Sequence, residues 1–158
     1  QKDLLRFVCD ARAALILMHI KGTPQTMQNN PKYKNVVAEI KKVLRKSVEN
    51  CLEIGIRSDR LIIDPGLGFG KTLEHNLEII NSLERFKDLQ FPILVGPSRK
   101  SFIGKILNKN TDERLYGTIA SVCAAVMNGA HIVRVHDVKA VKEALTVIDG
   151  IIHQTNKK

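Results

Sequence analysis

Four short apolar runs punctuate the chain, and each is followed by polar residues and then by a helical pattern. The runs occupy residues 13–19, 60–64, 91–96 and 131–136. Each run is continuous rather than alternating, which is typical of strands buried on both faces of a parallel sheet. The pattern therefore predicts four buried strands that run in parallel.

Helical patterns fill the intervals between these runs, and another one opens the chain. They are expected at roughly residues 4–12, 31–54, 72–88, 99–108, 112–128 and 138–149. Gly55 and Gly129 stand where the C-terminal caps of two of these helices belong. Strands that alternate with helices predict an α/β fold with right-handed crossovers.

Two α/β architectures compete, a doubly wound sheet and a (β/α)₈ TIM barrel. A barrel uses roughly 30 residues per unit over about 250 residues, so four units in 158 residues correspond to half of one. The chain opens in a helical pattern with no strand before it, which favours a barrel that is cut after its fourth strand. We therefore expect residues 1–158 to form the C-terminal part of one barrel domain, with its last four βα units.

Composition and charge narrow the classes of function. The net charge is +9, but the basic residues are dispersed, and aromatic residues make up only 4% with no Trp. Few aromatic side chains argue against a base-stacking surface, so no nucleic acid partner is expected. The longest apolar run, at residues 13–20, is too short to span a membrane, and no membrane partner is expected.

Cysteine usage and the N-terminal residues predict a cytoplasmic location. Cys9, Cys51 and Cys123 are odd in number, widely spaced and without a C-x-x-C pair. This pattern fits reduced thiols better than disulfides or zinc ligands. The first residues, QKDLLRFVCDAR, lack the organisation of a signal peptide.

The stretch LIIDPGLGFGKT at residues 61–72 looks at first like a loop that binds nucleotide phosphates. A Walker loop would need a glycine at position 65, which is occupied by Pro65, a residue with no N–H. The three glycines are evenly spaced, so the dinucleotide pattern G-x-G-x-x-G fails as well. Asp64 would repel a phosphate but suits a ligand edge that carries N–H donors. The stretch is therefore not expected to be a nucleotide loop.

All four apolar runs finish on polar or charged residues. The ends read Met18-His19, Asp64-Pro65-Gly66, Ser98-Arg99-Lys100-Ser101 and Arg134-Val135-His136-Asp137. In a barrel, functional residues cluster at the C-terminal ends of the strands. We therefore expect these side chains to meet in one mouth.

Each strand end allows a functional and a purely structural interpretation. Arg134 and His136 alternate along a strand and can clamp a phosphate together, or they are a surface arginine and a core histidine. Asp64 can pair with an N–C–N donor edge, or it only forms a turn before Pro-Gly. Residues 98–101 open a helix that can attract an anion, or Ser98 caps that helix and the cations are solvated. Phe69 is a pocket wall or a core residue.

Together these segments match a known family. The matching segments are MHIKGTPQTMQ (18–28), IIDPGLGFGK (62–71), SRKSFIG (98–104), ERLYGTIA (113–120) and RVHDV (134–138). In this order and spacing they resemble the second half of dihydropteroate synthase, and the resemblance covers nearly all of the chain. SRKSFIG and DPGxGFGK in one chain are its most specific elements.

The resemblance implies a (β/α)₈ barrel enzyme of folate biosynthesis. Such enzymes join p-aminobenzoate to 6-hydroxymethyl-7,8-dihydropterin pyrophosphate, and they release pyrophosphate and 7,8-dihydropteroate. Cations and Mg²⁺ stabilise the leaving group. The resemblance also implies a homodimer formed through the later helices.

The resemblance implies a role for each matching strand-end residue. Asp64 would bind the aminopyrimidine edge of the pterin, Lys100 would hydrogen-bond the ring, and Met18 would pack on it. Arg134 and His136 would hold the pyrophosphate and, with Lys100, would be the catalytic residues. A pocket for p-aminobenzoate, which sulfonamides also occupy, would be framed by Phe69, Lys100 and Ser101. The implied substrate-binding residues are Met18, Asp64, Phe69, Gly96, Lys100, Ser101, Arg134 and His136.

The first strands of the family have no counterpart in this sequence. They bring the Asn that ligates Mg²⁺ and the mobile loops that close over the substrates, so no metal ligand is expected here and the chain is expected to be a partial enzyme. Two alternatives stay open, a pterin-binding barrel that transfers methyl groups from methyltetrahydrofolate and a non-catalytic half-barrel. SRKSFIG favours the synthase over the methyltransferase.

Overall fold

A computed structural model describes residues 2–155 and contains four parallel strands with helices between them. The strands are β1 (Leu15–Met18), β2 (Leu61–Asp64), β3 (Leu94–Val95) and β4 (Ile132–Val133). The α-helices are α1 (Lys2–Asp10), α2 (Val36–Glu53), α3 (Leu73–Asn81), α4 (Ser101–Leu107), α5 (Leu115–Met127) and α6 (Val138–Thr155). Short 3₁₀ helices lie at Ser58–Arg60, Leu83–Leu89 and Thr111–Glu113.

The strands lie side by side in chain order. β1 pairs with β2 so that Met18 is opposite Asp64, and β3 pairs with β4. A parallel bridge between Ile63 and Ile93 joins the two pairs, and the Ile63 N–H donates to the Pro92 carbonyl at 3.0 Å. Consecutive parallel strands with helical crossovers are the arrangement of a (β/α)₈ barrel. The predicted fold class, four units of such a barrel, is confirmed.

The elements are shorter at the mouth than the apolar runs predicted. Only Leu94–Val95 and Ile132–Val133 are strand within the predicted 91–96 and 131–136. Pro97 follows β3 and has no N–H to continue the ladder, and the polar residues beyond it turn to form the site. The strand predictions were therefore too long, mainly at the N-terminal end for β3 and at the C-terminal end for β4.

The start of the second predicted helix was also wrong. Residues 31–35 are not helical, because Asn35 is the N-cap of α2 and its side chain accepts a hydrogen bond from the Ala38 N–H at 2.9 Å. Glu39 accepts from the Lys34 N–H at 2.7 Å and holds the entry to the helix. The predicted C-terminal caps are confirmed, since Gly55 and Gly129 both have positive φ directly after α2 and α5.

The core lies between the strands and helices α2 and α3. Ile40 of α2, Ile63 of β2, Ile79 of α3 and Val95 of β3 are all fully buried. Ile16 on β1 is 48% exposed, whereas its neighbours Leu15 and Leu17 pack against the core. Within residues 2–155, no helix combines the length and the apolar character needed to cross a membrane.

Gly66 is where the turn after β2 meets the end of β1. Its φ is +71°, and a Cβ added there would lie 1.9 Å from the His19 carbonyl oxygen. An alanine would therefore have to push the two strand ends apart, in a backbone region that L-residues rarely adopt.

We predict that Gly66→Ala lowers the free energy of unfolding by about 1–3 kcal/mol or more, measured by urea unfolding. Gly150→Ala is the matched control, because Gly150 lies in α6 with no atom within 4 Å of an added Cβ. Helix propensity should make the control more stable by about 0.5–1 kcal/mol. Equal effects of the two substitutions would contradict the close approach at Gly66.

Candidate functional site

Main-chain hydrogen bonds hold the strand ends side by side at the mouth. The His19 N–H donates to the Asp64 carbonyl at 2.9 Å, and the Arg134 N–H donates to the Val95 carbonyl at 2.9 Å. As a result, polar side chains from all four ends gather at the same edge of the sheet, as the sequence predicted.

Asp64 is a buried carboxylate at the end of β2. Its side chain is only 8% exposed, and its Oδ1 accepts the Gly66 N–H at 2.7 Å. Burial raises the pKa of Asp64, while the Gly66 N–H and the charges of Arg134, Lys71 and Lys100 act in the opposite direction. Within residues 2–155, Oδ2 makes no hydrogen bond, so this oxygen is left to accept from a ligand.

The turn after Asp64 directs its N–H groups into the protein. The Gly68 N–H donates to Asn76 Oδ1 at 2.7 Å, and the Phe69 N–H donates to the Gly66 carbonyl at 3.1 Å. Asn76 is buried and reaches back to the Thr72 carbonyl at 2.6 Å. Because these donors already have partners, the turn does not wrap a phosphate, which agrees with the prediction that it is not a nucleotide loop.

The loop that follows β1 lies over this turn. Gln28 donates from Nε2 to the Gly68 carbonyl at 2.7 Å, and the Tyr33 hydroxyl donates to the Gly70 carbonyl at 2.8 Å. The sequence assigned no role to these two side chains, although Gln28 lies within the matching segment at residues 18–28. They bind the turn through its carbonyls.

Lys71 and His19 form a buried pair beneath the mouth. Lys71 is 3% exposed, and its Nζ lies 3.1 Å from His19 Nδ1 and 2.9 Å from the Phe69 carbonyl. Burial lowers the pKa of Lys71 to about 7, with Asp64 opposing the shift and Lys100 adding to it. Burial, together with the nearby Lys71 charge, lowers the pKa of His19 to about 4.

Lys100 extends across the face of Phe69. Its Nζ is 4.0 Å from the centre of the Phe69 ring, a distance typical of a cation–π contact. Burial and then the charge of Arg134 lower the pKa of Lys100, whereas Asp64 raises it. A Cβ on Gly68 would lie 3.1 Å from Lys100 Cδ, so the glycine leaves room for this side chain.

Arg134 and His136 lie in a pocket of about 570 Å³ that opens at the ends of β3 and β4. Its lining residues are Gly96, Ser98, Arg99, Lys100, Thr111, Arg134, Val135 and His136. Ser98 Oγ is 2.8 Å from His136 Nδ1 and also accepts the His136 N–H at 3.2 Å. A hydroxyl that accepts from the main chain can still donate to Nδ1, which favours a His136 ring with its proton on Nε2. Nε2 is then a donor for an anion.

Ser98 does not cap the following helix, so that interpretation was wrong. α4 begins at Ser101 with Lys100 in the N-cap position, because residues 98–100 form a turn that brings Ser98 to His136. The interpretation of the cations as solvated was wrong for Arg99. This residue donates from Nε and Nη2 to both carboxylate oxygens of Asp137, at 3.1 and 2.7 Å.

The sequence did not identify the residues that hold the turn at Arg99. Arg99 has a φ of +57°; its N–H donates to Thr118 Oγ1 at 3.0 Å, and its carbonyl accepts from Arg114 Nη1 at 2.9 Å. Arg114, Gly117 and Thr118 form the Arg-x-x-Gly-Thr segment, which was the available signal. A Cβ on Gly117 would lie 2.3 Å from Ile103 Cγ2, so this glycine allows α4 and α5 to pack closely.

Three predicted site residues remain, which are Met18, Gly96 and Ser101. Met18 is the last residue of β1 and is 40% exposed, and its side chain lies beside Gly66. Gly96 lines the pocket next to Arg134. Ser101 is exposed at the start of α4, adjacent to Lys100 but outside the pocket lining.

The described residues do not by themselves fit a Mg²⁺ site. Across residues 2–155, no group of three or more His, Cys, Asp or Glu side chains could hold a metal ion. Both oxygens of Asp137 are already paired with Arg99, and one oxygen of Asp64 accepts the Gly66 N–H. The neighbouring cations Lys71, Lys100 and Arg134 would also oppose a divalent cation.

Comparison with known proteins agrees with this fold. A model of the pterin binding enzyme family matches residues 1–136. Dihydropteroate synthase of Escherichia coli (strain K12) is 44% identical over 142 residues, which is 90% of this chain and 50% of the relative. The chain spans about half the length of the curated relatives it matches.

Two solved dihydropteroate synthases share the fold. The Yersinia pestis protein with a sulfonamide drug superposes with a TM-score of 0.92 and 36% identity, covering 94% of this chain and 54% of that one. The Thermus thermophilus protein in complex with 4-aminobenzoate gives 0.90 and 36%, covering 96% and 62%. Its complex with 6HMPPP gives the same TM-score and identity, with coverage of 96% and 61%.

The fold therefore defines a partial (β/α)₈ barrel with a candidate binding site at the C-terminal ends of its strands. Since the family model covers most of the sequence, the chain belongs to the pterin binding enzyme family.

The buried Lys71 predicts how stability depends on pH. Its pKa is about 7 in the folded chain and 10.5 in an ordinary lysine, so the unfolded chain holds more protons between these values. Stability should therefore increase as the pH rises from 7. From pH 7 to about 9.5 the free energy of unfolding should increase by up to about 3 kcal/mol, measured by urea unfolding in a series of buffers.

Other groups with shifted pKa values add to the effect of Lys71 or oppose it in this pH range. His19 titrates below this range, whereas the raised pKa values of Cys51 and Tyr33 lower stability as the pH approaches the ordinary values of these groups, 9.0 and 10.0. The lowered pKa of Lys100 acts in the same direction as that of Lys71. Lys71→Met should remove most of the increase, and an unchanged pH profile in this variant would contradict the assignment.

Proposed function

We propose that this chain carries the pterin- and pyrophosphate-binding part of a dihydropteroate synthase. The reaction joins p-aminobenzoate to 6-hydroxymethyl-7,8-dihydropterin pyrophosphate, abbreviated 6HMPPP, and yields 7,8-dihydropteroate and pyrophosphate. The observation that carries this proposal is the convergence of a buried carboxylate, Asp64, with the cations Lys100 and Arg134 at one mouth. Relatives and solved neighbours named dihydropteroate synthase support it.

Asp64 is the proposed partner of the aminopyrimidine edge of the pterin. Oδ2 can accept one N–H of that edge, and Oδ1 can share a second with Gly66. Lys100 is positioned to hydrogen-bond the ring, and Met18 to pack on its face. The burial that raises the pKa of Asp64 also strengthens any hydrogen bond that it accepts.

Arg134 and His136 are the proposed pyrophosphate ligands, and with Lys100 they form the catalytic set. The amine of p-aminobenzoate attacks the methylene carbon as the C–O bond to pyrophosphate breaks, and the nitrogen then loses a proton. Negative charge accumulates on the leaving oxygen, where cations that are already in place stabilise it. Gly96 is proposed to line the substrate site beside Arg134, where an added Cβ would be in ordinary van der Waals contact at 3.8 Å from the Arg134 side chain.

Phe69, Lys100 and Ser101 are proposed to frame the p-aminobenzoate site, which would also admit sulfonamides. The stacked arrangement of Lys100 on Phe69 gives this site a flat wall with a cationic edge. The 4-aminobenzoate complex of the T. thermophilus relative and the sulfonamide complex of the Y. pestis relative support this assignment.

Magnesium, dimerisation and location belong to the same proposal. Mg²⁺ would bind ligands outside the described residues, including the Asn that the family resemblance implies. A homodimer would form through α5 and α6, where Tyr116, Met127 and Val147 are 79%, 64% and 63% exposed. A cytoplasmic location is supported by the free thiols of all three cysteines.

A chimera tests this function. The part of the E. coli relative that precedes the matching region would be joined to this chain, and pyrophosphate release would be measured with 6HMPPP and Mg²⁺. Release that depends on p-aminobenzoate is expected for the chimera and not for this chain alone. A folded chimera that is inactive, with its fold checked by circular dichroism, would contradict the proposal. Methyl transfer from methyltetrahydrofolate would favour the alternative enzyme class.

Arg134→Ala should discriminate between ligands. We expect it to weaken binding of 6HMPPP to the chain at least tenfold, a loss of about 1.4 kcal/mol, while binding of the bare pterin changes little. The reason is that Arg134 is proposed to touch only the pyrophosphate. Isothermal titration calorimetry with both ligands measures this, and equal losses would remove Arg134 from the phosphate site.

Asp64→Asn should have the complementary effect. An amide in place of the carboxylate offers one acceptor instead of two to the aminopyrimidine edge, so the affinities for the bare pterin and for 6HMPPP should both fall at least tenfold. Asp112→Asn on the surface provides a matched control. Near-normal affinity of Asp64→Asn in the same titration would contradict the ring assignment.

A further inference from the structure

Lys71 is the lysine of the Gly-Lys-Thr that made the turn look like a phosphate loop, and the proposed reaction gives it no role. In the structure its side chain points into the protein rather than into the mouth, and it is 3% exposed. A buried lysine needs partners for its N–H groups. Its position therefore requires an explanation other than phosphate binding.

The partners of Lys71 belong to two different elements. Nζ lies 3.1 Å from Nδ1 of His19, directly after β1, and 2.9 Å from the carbonyl of Phe69, which is in the turn after β2. The main chain of His19 also contacts the turn, since its N–H bonds the Asp64 carbonyl and its own carbonyl lies against Gly66. Lys71 thus completes a junction between the two strand ends.

We propose that Lys71 is a positioning residue of the substrate site, which links the turn that carries Phe69 to the end of β1 through His19. This link holds Phe69 beneath Lys100. It also fixes the position of the turn, so that Asp64 is directed into the mouth. This inference rests on the proposed function, because it assigns a support to the residues that would bind the ring and p-aminobenzoate.

The chemistry of the junction explains why the residue is a lysine. An ammonium group carries only donors, and both of its partners are acceptors. A side chain without a donor would leave the Phe69 carbonyl and His19 Nδ1 unpaired in a buried place, which is unfavourable for both groups. The positive charge also offsets that of the buried Asp64.

The junction sets the state of His19. Below about pH 7, where Lys71 keeps its proton, it can only donate to Nδ1, so His19 is neutral there with its proton on Nε2. The other groups that face His19 are Lys21 from the following loop, Glu39 from α2 and the ring of Tyr33, whose centre is 6.2 Å away. Among the cations, Lys71 has the larger influence on the pKa of His19.

The first test reads the His19 ring by ¹⁵N nuclear magnetic resonance in the intact chain, with the signal assigned from His19→Phe. The unsubstituted chain should show the Nε2–H tautomer and remain neutral down to about pH 5. Lys71→Met should lose the single tautomer and protonate at a higher pH. Lys46→Met, an exposed lysine on α2, should match the unsubstituted chain. An unchanged tautomer and titration in Lys71→Met would overturn the proposal.

The second test measures the affinity of the same proteins for 6HMPPP by calorimetry. Lys71→Met should bind at least tenfold more weakly and Lys46→Met should bind normally. His19→Phe removes the acceptor but keeps the ring shape, so it should cause a similar loss, and the double variant should lose no more than either single variant. The affinity of His19→Phe also decides whether the junction positions the site if Lys71→Met does not fold. Additive losses, or normal affinity in both single variants, would overturn the positioning role.

The two tests separate this inference from the proposed function. If the unsubstituted chain does not bind 6HMPPP, the proposed function fails for this chain, while the tautomer of His19 still decides whether Lys71 holds the junction. If 6HMPPP binds, and the tautomer and titration of His19 are the same in Lys71→Met as in the unsubstituted chain, the proposed function stands and the positioning role is overturned.

Discussion

The burial of the Asp64 carboxylate is the constraint on which the rest of the mouth depends. A carboxylate that is 8% exposed must be compensated, because an unpaired buried charge is strongly unfavourable. The Gly66 N–H supplies one hydrogen bond, and the nearby Lys71, Lys100 and Arg134 supply positive charge. The compensation is incomplete, since burial still raises the pKa of Asp64. A ligand edge with N–H donors would complete it.

This constraint explains why the surrounding turns have their observed shapes. To donate to Asp64, Gly66 must approach the His19 carbonyl more closely than any side chain would allow. The second turn, at Lys100, is fixed independently by the pairing of Arg99 with Asp137 and by the hydrogen bonds from Arg114 and to Thr118. Both turns are therefore held by hydrogen bonds within the chain itself.

The sequence predicted the components of the site better than their contacts. Continuous apolar runs that end in polar residues located the four strand ends, because parallel strands must bring those ends together. The alternation of Arg134 with His136 placed both of them in one pocket. The inward direction of Lys71 and the pairing of Arg99 with Asp137 could not be predicted, because they depend on backbone angles such as the positive φ of Arg99 and on acceptors distant in the chain. For the same reason the sequence left open whether Ser98 caps the next helix, which the structure shows it does not.

A crystal structure of this chain with 6HMPPP would test the central claim most directly. The account predicts that the aminopyrimidine edge lies on the Asp64 carboxylate, with Lys100 at the ring and the phosphate groups between Arg134 and His136. The turn at Gly66 and the Lys71–His19 contact should be unchanged. A ligand bound elsewhere, or one whose phosphates lie on the turn at residues 66–70 while Asp64 faces no N–H donor, would contradict the account.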